Sequence, residues 1–516
     1  MKFINSLFLL ALSVLVSSKA VKNPSSDLPS FSLPSGFYDG ETLNLEININ
    51  DPDAIIYYTL DGSLPSENSS IHKTPFTLKN KSEEENVISN IKGTTPRSNF
   101  EPSIKVKKGN IIRVIAKLSD GTITDVVSGT YFVGLNKKKL YGDLPVISII
   151  TDPDNLFNYE NGIYVLGKDY DDWIKKNPEN VNVDNYLVKA NYSRKGKQSE
   201  RPATIEYIPG NSTTVDFFQD IGLRLKGSGT RYQYQKSFKI VSREDYGKKN
   251  INYKIIPDNI RSDGNGPVTK YKSFILRNGG NDSEYAKMRD NVIQGLSRNP
   301  YFETQQYDIS IVFVDGEYWG FYNVYEEYSD HYIANNYNID NKNVIIVKVS
   351  KIEAGEDEDI ESFNNLKQFV LETDMSIPKN YEKLSKMFDV VGFAWYAAIS
   401  AYTYIRDGWF FNNNWSIWRV KDIDASVPKA DGKWRMMMYD TKYSTGIYGS
   451  AKPYDDDLIR YALNITNFPK VTNSFGSQFT NSLVKNENLR KCLLTFYVMS
   501  KTFSSVLKMF IPKLTK

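Results

Sequence analysis

The chain has 516 residues, with 64 basic and 61 acidic side chains and a formal net charge of +3. That length allows two or three domains with cores of their own, while the near-neutral charge without a basic stripe argues against nucleic acid as a partner. Cys492 is the single cysteine and His72 and His331 are the only histidines, so disulfides within the chain and the usual zinc sites are excluded.

The N-terminus has the layout of a secretory signal peptide. Met1-Lys2 precedes an apolar run over residues 3–16 and the small residues Ser18 and Ala20. We therefore expect a signal peptide over residues 1–20, cleavage after Ala20 and a secreted protein. The run is short for a bilayer span, which makes a membrane anchor the weaker alternative, and no membrane span is expected after cleavage. Glycosylation is weakly indicated by seven Asn-x-Ser/Thr sequons, at Asn68, Asn80, Asn191, Asn211, Asn281, Asn414 and Asn464.

Short alternating strands broken by turn dipeptides follow, over residues 28–134. Residues 55–60 run into Asp61-Gly62, and residues 111–116 precede Asp120-Gly121. Asp-Gly between such runs indicates tight turns, because glycine accepts a positive φ. The pattern predicts a β-sandwich, in which the polar stretch 83–98 is a long exposed loop.

Two segments of this region carry a family resemblance. Phe37-Tyr38 and the run from Ile56 to Pro65, which reads IYYTLDGSLP, resemble the chitobiase/β-hexosaminidase C-terminal domain. The resemblance implies an immunoglobulin-like module with an accessory role, and a carbohydrate contact rather than catalysis.

From residue 144 onward, strand and helix patterns are mixed. Residues 145–150 predict a first buried strand, and residues 221–241 predict two strands joined by a Gly-Ser-Gly turn. Residues 288–296 and 381–405 have helical periodicity, the latter apolar on most faces. These patterns predict an α+β domain.

The residues of this second region suggest metal-assisted phosphoryl transfer. That reaction uses basic groups on the phosphates, oxygen ligands on a cation and an aspartate beside the attacking hydroxyl. Asp440 ends an apolar strand, and Asp407 lies in a loop beside Asn412 to Asn414. Taken singly, each of these residues is more often a turn, cap or surface residue.

Lys236 and Lys239 lie on one predicted strand and point to opposite faces, because three residues separate them. One of them should face a cleft or the domain interior and the other solvent. Glu326 follows another strand and could pair with such a lysine.

The order of motifs resembles the CotH kinase family of atypical protein kinases. The resemblance covers about residues 144–505 and leaves residues 506–516 as a tail that ends earlier than expected. Its blocks are 223–239, 274–290, 314–326, 413–419 and 432–440.

The resemblance implies a kinase-like domain that uses ATP with Mg²⁺ or Mn²⁺. Asp407 would be the catalytic aspartate and Asp440 the metal ligand. The other implied roles are proximity to the metal for Asn413 or Asn414, and nucleotide binding for Arg231, Lys236, Arg289 and Glu326.

Some residues depart from the family pattern. Relatives often have Asp-x-Asp where this chain reads Asp440-Thr441-Lys442, Lys226 stands where arginine is common, and the spacing after Asp407 is long. Two functions therefore stay open: a secreted kinase acting on serine or threonine of secretory or surface proteins, and a pseudokinase serving as a surface adhesin or carbohydrate-associated scaffold. A glycoside hydrolase with two carboxylates about 5 to 10 Å apart is the weakest alternative.

Overall fold

The structure is a computed structural model, and it describes residues 28–97, 101–181, 183, 186–449, 458–463 and 469–498. The predicted signal peptide and the predicted tail lie outside the described residues. Within the described part, no helix is both long enough and apolar enough to cross a bilayer.

The N-terminal domain is rich in β-structure. Strands β2-β9-β8-β5-β6 form one sheet, and β3 pairs with β7 in a ribbon whose Leu45 and Leu78 share a core with Ile56 and Ile112 of the sheet. Gly62 and Gly121 have positive φ, as the turn dipeptides predict. A β-rich domain is confirmed, and its immunoglobulin-like topology stays a prediction. The strands are β1 Ser30–Phe31, β2 Gly36–Tyr38, β3 Thr42–Leu45, β4 Ile47–Asn48, β5 Ile55–Thr59, β6 Ser70–Ile71, β7 Phe76–Lys79, β8 Asn110–Lys117 and β9 Val127–Val133.

The described part of the polar stretch 83–98, residues 83–97, is more than the exposed loop that its composition predicts. The Glu317 carboxylate of the second domain accepts hydrogen bonds from the Val87 amide, the Ser89 amide and the Ser89 hydroxyl, each at 2.7 Å. Ile88 is buried in the core of the second domain. A buried carboxylate satisfied by backbone donors fixes this segment on the second domain.

The second domain begins with a closed barrel of seven strands, in the order β10-β11-β12-β13-β14-β17-β16. Neighbours are antiparallel except β10 and β16, which are parallel. Residues 146–150 form a strand as predicted, and residues 221–241 contain parts of two strands as predicted. The connection between these two strands is longer than the predicted Gly-Ser-Gly turn, since it covers residues 227–236 and includes a short 3-10 helix over Gly229–Tyr232. The strands of this part of the chain are β10 Val146–Ile150, β11 Arg201–Ile208, β12 Phe217–Lys226, β13 Ser237–Val241, β14 Ser273–Arg277, β15 Glu303–Thr304, β16 Tyr307–Val314 and β17 Glu317–Glu326.

A second sheet follows the barrel, with the order β15-β21-β20-β18-β19. Its additional strands are β18 Val344–Lys348, β19 Lys351–Ala354, β20 Trp415–Val420 and β21 Arg435–Met438. A further helical stretch covers residues 487–498. The other helices are α1 Lys137–Tyr141, α2 Pro153–Phe157, α3 Gly167–Ile174, α4 Arg289–Leu296, α5 Asp330–Tyr337, α6 Ile360–Glu372, α7 Pro378–Met387, α8 Val390–Tyr402, α9 Leu458–Ala462, α10 Pro469–Thr472 and α11 Phe475–Leu483.

The single long helix predicted over residues 381–405 is wrong, because the chain breaks between α7 and α8. Phe388 has extended backbone angles, and the Asp389 side chain accepts a hydrogen bond from the Gly392 amide as the N-cap of α8. An N-cap aspartate satisfies an amide that has no partner within the helix. Helix α8 is apolar on most faces, as predicted, and it packs in a core with α6, α11 and one face of the second sheet.

Candidate active site

A cleft of about 550 Å³ lies between the outer surface of the barrel and the second sheet. Strands β12, β13 and β14 contribute to one wall, and β18, β20 and the residues after β21 contribute to the other. Among the described residues that line the cleft, the acidic ones are Glu327, Glu353 and Asp440. The basic ones are Lys195, Arg224, Lys226, Arg231, Lys239, Arg277 and Lys348. A cleft with this excess of positive charge favours a polyanionic ligand.

Alternation along the strands decides which basic side chains reach the cleft. Successive side chains of a strand point to opposite faces. Leu225 and Phe238 belong to the barrel core, so Lys226 and Lys239, next to them in sequence, point outward. Arg224 of β12 lies directly opposite Lys239 of β13 in the register, which brings two cations together at one wall.

Glu327, which directly follows β17, holds both outward-facing lysines. Its carboxylate lies 2.6 Å from the Lys226 ammonium and 2.5 Å from the Lys239 ammonium, and it accepts a hydrogen bond from the Ser273 hydroxyl at 2.5 Å. Burial opposes ionisation, yet the two ammonium groups lower the pKa of Glu327 to about 2. Charge-assisted hydrogen bonds of this kind fix side chains in place.

Asp440 lies on the opposite wall, just beyond β21. Its backbone is left-handed, with φ of 56°, a strained conformation that often occurs at functional sites. The Arg277 guanidinium lies 3.1 Å from one carboxylate oxygen, and the Lys442 ammonium lies 2.5 Å from the other. Against the effect of burial, these two cations lower the pKa of Asp440.

Asp290, in the first turn of α4, completes a buried group of charges around Lys442. Its carboxylate accepts hydrogen bonds from the Thr441 amide at 3.1 Å and the Thr441 hydroxyl at 2.8 Å. The Lys442 ammonium lies 3.4 Å and Arg277 lies 3.8 Å from the other carboxylate oxygen. Against the effect of burial, the two cations lower the pKa of Asp290.

Asp407 lies next to the cleft and is held by two asparagines. Its carboxylate accepts hydrogen bonds from the side-chain amides of Asn413 and Asn414, the second at 2.8 Å. Asn414 lines the cleft and accepts a hydrogen bond from the Tyr439 hydroxyl at 3.2 Å. Burial raises the pKa of Asp407, and the nearby Asp440 acts in the same direction. The structure thus places Asp407 in contact with Asn413 and Asn414 and near Asp440, while the roles expected for these residues stay predictions.

Arg231 and Arg289 are engaged by the protein. The Arg231 guanidinium lines the cleft and donates hydrogen bonds to four backbone carbonyls, those of Tyr192, Arg194, Leu225 and Gly227. Arg289 lies 3.5 Å from the Asp282 carboxylate, contacts Thr445 and is not among the described residues that line the cleft. Both arginines therefore stabilise loops around the cleft in this conformation.

Lys236 and Glu326 do not meet, contrary to the pairing considered from the sequence. Lys236 is fully buried, donates a hydrogen bond to the Gln233 carbonyl at 2.6 Å and lies over the Tyr192 ring, outside the described lining of the cleft. Glu326 is buried beside Asn259 and Asn336. Strand alternation keeps both residues out of the cleft, because Glu326 is on the same inward face of β17 as Val324, and Lys236, directly before β13, is on the same side as Phe238. The pair in the cleft is instead Lys239 and Glu327.

Glu326 makes the stability of the protein depend on pH. Burial raises the pKa of Glu326 from its ordinary value of 4.5 to about 7. Between these values the unfolded chain releases the proton while the folded chain retains it, so rising pH favours unfolding. We expect this residue alone to lower the free energy of unfolding by up to about 3 kcal/mol from pH 4.5 to pH 7.

The variant Glu326→Gln should remove this dependence, because glutamine resembles the neutral acid. Urea unfolding at several pH values measures the effect. A wild type and a variant that lose stability in parallel over this pH range would contradict the assignment to Glu326.

Comparisons with known proteins agree with the order of the two domains that the sequence predicts. Residues 33–88 match a family model described as the chitobiase/beta-hexosaminidase C-terminal domain. Residues 223–502, more than half of the chain, match the model described as CotH kinase protein. The chain belongs to the CotH kinase family. The matched part contains Asp407, Asp440 and Glu327, whereas strands β10 and β11 of the barrel precede it. No curated protein matches the chain.

The CotH kinase family implies ATP and a divalent cation, but the carboxylates as placed do not fit the cation. Both oxygens of Asp440 face cationic groups, and Asp407 accepts two amide hydrogen bonds. In the described ranges, no group of three or more histidine, cysteine, aspartate or glutamate residues could hold a metal ion. A hard divalent cation takes several oxygen ligands in proteins. Here the Lys442 ammonium lies beside the carboxylate oxygens that would have to serve as those ligands.

Two predicted glycosylation sequons are engaged in the folded chain. Asn191 is fully buried and donates a hydrogen bond to the Tyr159 carbonyl at 2.8 Å. The Asn414 amide donates to Asp407. A glycan on either asparagine would break these contacts, while Asn464 lies outside the described residues.

Proposed function

We propose that this CotH kinase-family chain is a secreted atypical protein kinase. It would transfer the γ-phosphate of ATP to serine or threonine hydroxyls of proteins in the secretory pathway or at the cell surface. The supporting observation is the basic cleft, which has the Lys239–Glu327 pair on one wall and Asp440 with Asn414 on the other. The secreted location rests on residues 1–20 and is checked by the first residue of the secreted chain, expected to be Val21.

The barrel side of the cleft carries Lys226, Lys239 and Arg277, and we call it the basic wall. This wall suits the phosphates of ATP. Phosphoryl transfer depends on positioning and on neutralising charge at the phosphoryl oxygens. Lys226 and Lys239 are held side by side by Glu327, and Arg277 is held by Asp440. Because their positions are already fixed, little side-chain ordering is needed when the phosphates bind.

Asp407 is the proposed proton acceptor. The hydroxyl of the substrate loses its proton as its oxygen attacks the γ-phosphorus, and a carboxylate near that oxygen accepts it. The bond from the γ-phosphorus to the oxygen that bridges it to the β-phosphate breaks, and ADP leaves with that oxygen. Burial raises the pKa of Asp407, which makes its carboxylate a better base than an exposed aspartate. Asn413 and Asn414 orient the carboxylate but leave lone pairs available, since an ionised carboxylate can accept about four hydrogen bonds.

A second function is favoured by the ion pairs of Asp440 and by the N-terminal domain. Lys442 and Arg277 cover the Asp440 carboxylate, which suits a protein that binds a nucleotide without transferring phosphate. Residues 33–88 match a domain type that hints at carbohydrate association. The alternative is therefore a pseudokinase serving as a surface adhesin or carbohydrate-associated scaffold.

Incubation of the purified chain with γ-labelled ATP separates the two functions. The assay is run with magnesium, with manganese and with chelator, and phosphate is sought on the chain itself and on added serine- and threonine-containing proteins. The control is Asp440→Ala, whose folding is checked by circular dichroism. Label that disappears in folded Asp440→Ala supports the kinase. ATP binding without any label supports the pseudokinase, and the absence of both contradicts a nucleotide site.

A further inference from the structure

Lys442 is the departure from the family pattern with the clearest structural consequence. Its side chain is only 3% exposed, and its ammonium lies 2.5 Å from Asp440 and 3.4 Å from Asp290. Arg277 contacts the same two carboxylates. Two cations thus balance two anions, so the group is neutral without any bound ion.

The fold provides room for this lysine. Gly280 has a φ of +60°, and a Cβ at this position would lie 2.3 Å from the Lys442 Cε atom. Asn278 holds the glycine loop by accepting a hydrogen bond from the Gly280 amide at 3.0 Å. Thr441 is held by Asp290, which restricts the chain just before Lys442. The ammonium is therefore placed by the glycine loop on one side and by the aspartates on the other.

We propose that the Lys442 ammonium supplies the neutralising charge that a divalent cation would otherwise bring to Asp440, so that ATP binds this cleft without metal. The inference rests on the proposed nucleotide site and concerns how that site tolerates a polyanion. An uncompensated Asp440 would repel the phosphates at short range, and the repulsion is stronger in a partly buried site than in water. With Lys442 and Arg277 in place, that repulsion is already offset before the nucleotide arrives.

Titration calorimetry of ATP into the full chain tests this proposal directly. We expect the dissociation constant in excess chelator to lie within about threefold of that in magnesium, a difference well under the 1.4 kcal/mol of a tenfold change. Binding that requires magnesium overturns the inference and leaves the nucleotide site standing. Absence of binding under both conditions overturns the inference and the nucleotide site together.

Two variants of Lys442 sharpen the test. In Lys442→Met the side chain keeps similar length without charge, so metal-free affinity should fall by on the order of tenfold to a hundredfold and recover when magnesium is added. Lys442→Asp restores the Asp-x-Asp pattern and should bind ATP only with metal.

The matched control is Lys342→Met, which changes an exposed lysine before β18 and should leave both affinities unchanged. A folded Lys442→Met chain that retains wild-type affinity in chelator contradicts the proposal. If that variant does not fold, the dissociation constants of the wild type for ATP in chelator and in magnesium still show whether binding requires metal.

Discussion

Replacing Asp407 by asparagine is expected to lower the rate of phosphate transfer by about 10²- to 10⁴-fold, the usual contribution of a general base. Asparagine has nearly the same shape but cannot accept a proton at neutral pH. Its amide nitrogen would also face the amides of Asn413 and Asn414, which now donate to Asp407. ATP affinity should change little, because the phosphates are expected to contact the basic wall instead. Initial rates with labelled ATP and calorimetric titrations measure the two quantities separately.

The matched control for this variant is Asp422→Asn, at an exposed aspartate after β20. It should retain the wild-type rate and the wild-type affinity. If Asp407→Asn transferred phosphate at the wild-type rate, another group would have to accept the hydroxyl proton.

Replacing Asp290 by alanine is expected to lower the free energy of unfolding by about 3–5 kcal/mol, as when one partner of a buried ion pair is removed. The Asp290 carboxylate is buried and is shared by Thr441, Lys442 and Arg277. Without this carboxylate, the amide and the hydroxyl of Thr441 lose their acceptor. Lys442 and Arg277 then face the Asp440 carboxylate alone, which leaves one positive charge uncompensated. Urea unfolding followed by tryptophan fluorescence measures the change.

Asp422→Ala is the control for the stability experiment, since its side chain is exposed. Substitutions at such sites usually change the free energy of unfolding by less than about 0.5 kcal/mol. Similar midpoints for Asp290→Ala and Asp422→Ala would show that the charges around Lys442 contribute little to stability.

The strands that carry the site could be predicted from local patterns, because alternation and turn residues are visible in a short window. The apolar strand before Asp440 is one example, and the strands on either side of residues 227–236 are another. The break before α8 was not visible in the same way. Phe388 continues the apolar pattern, and Asp389 acts as a cap only where the chain turns.

Pairings between side chains that line the cleft were harder to predict, because they depend on which face of a strand points outward. Alternation separates Lys236 from Lys239 and Glu326 from Glu327, but it does not say which face becomes the barrel core. Phe238 and Val324, both in that core, give the answer once the barrel is known. The role of Asp290 depends on a contact with Thr441, 151 residues later, which no local pattern reports.

The hydrogen bonds of Glu317 to Val87 and Ser89 also bear on how the two domains could cooperate. A flexible tether would let an N-terminal ligand sample a large volume, and the local concentration of that ligand at the cleft would be set by tether length. A docked segment instead presents the ligand at one distance and one angle. Whatever the N-terminal domain binds would then lie at a fixed distance from the cleft, so the reach between the two would be set by the docking contacts and not by the length of a linker.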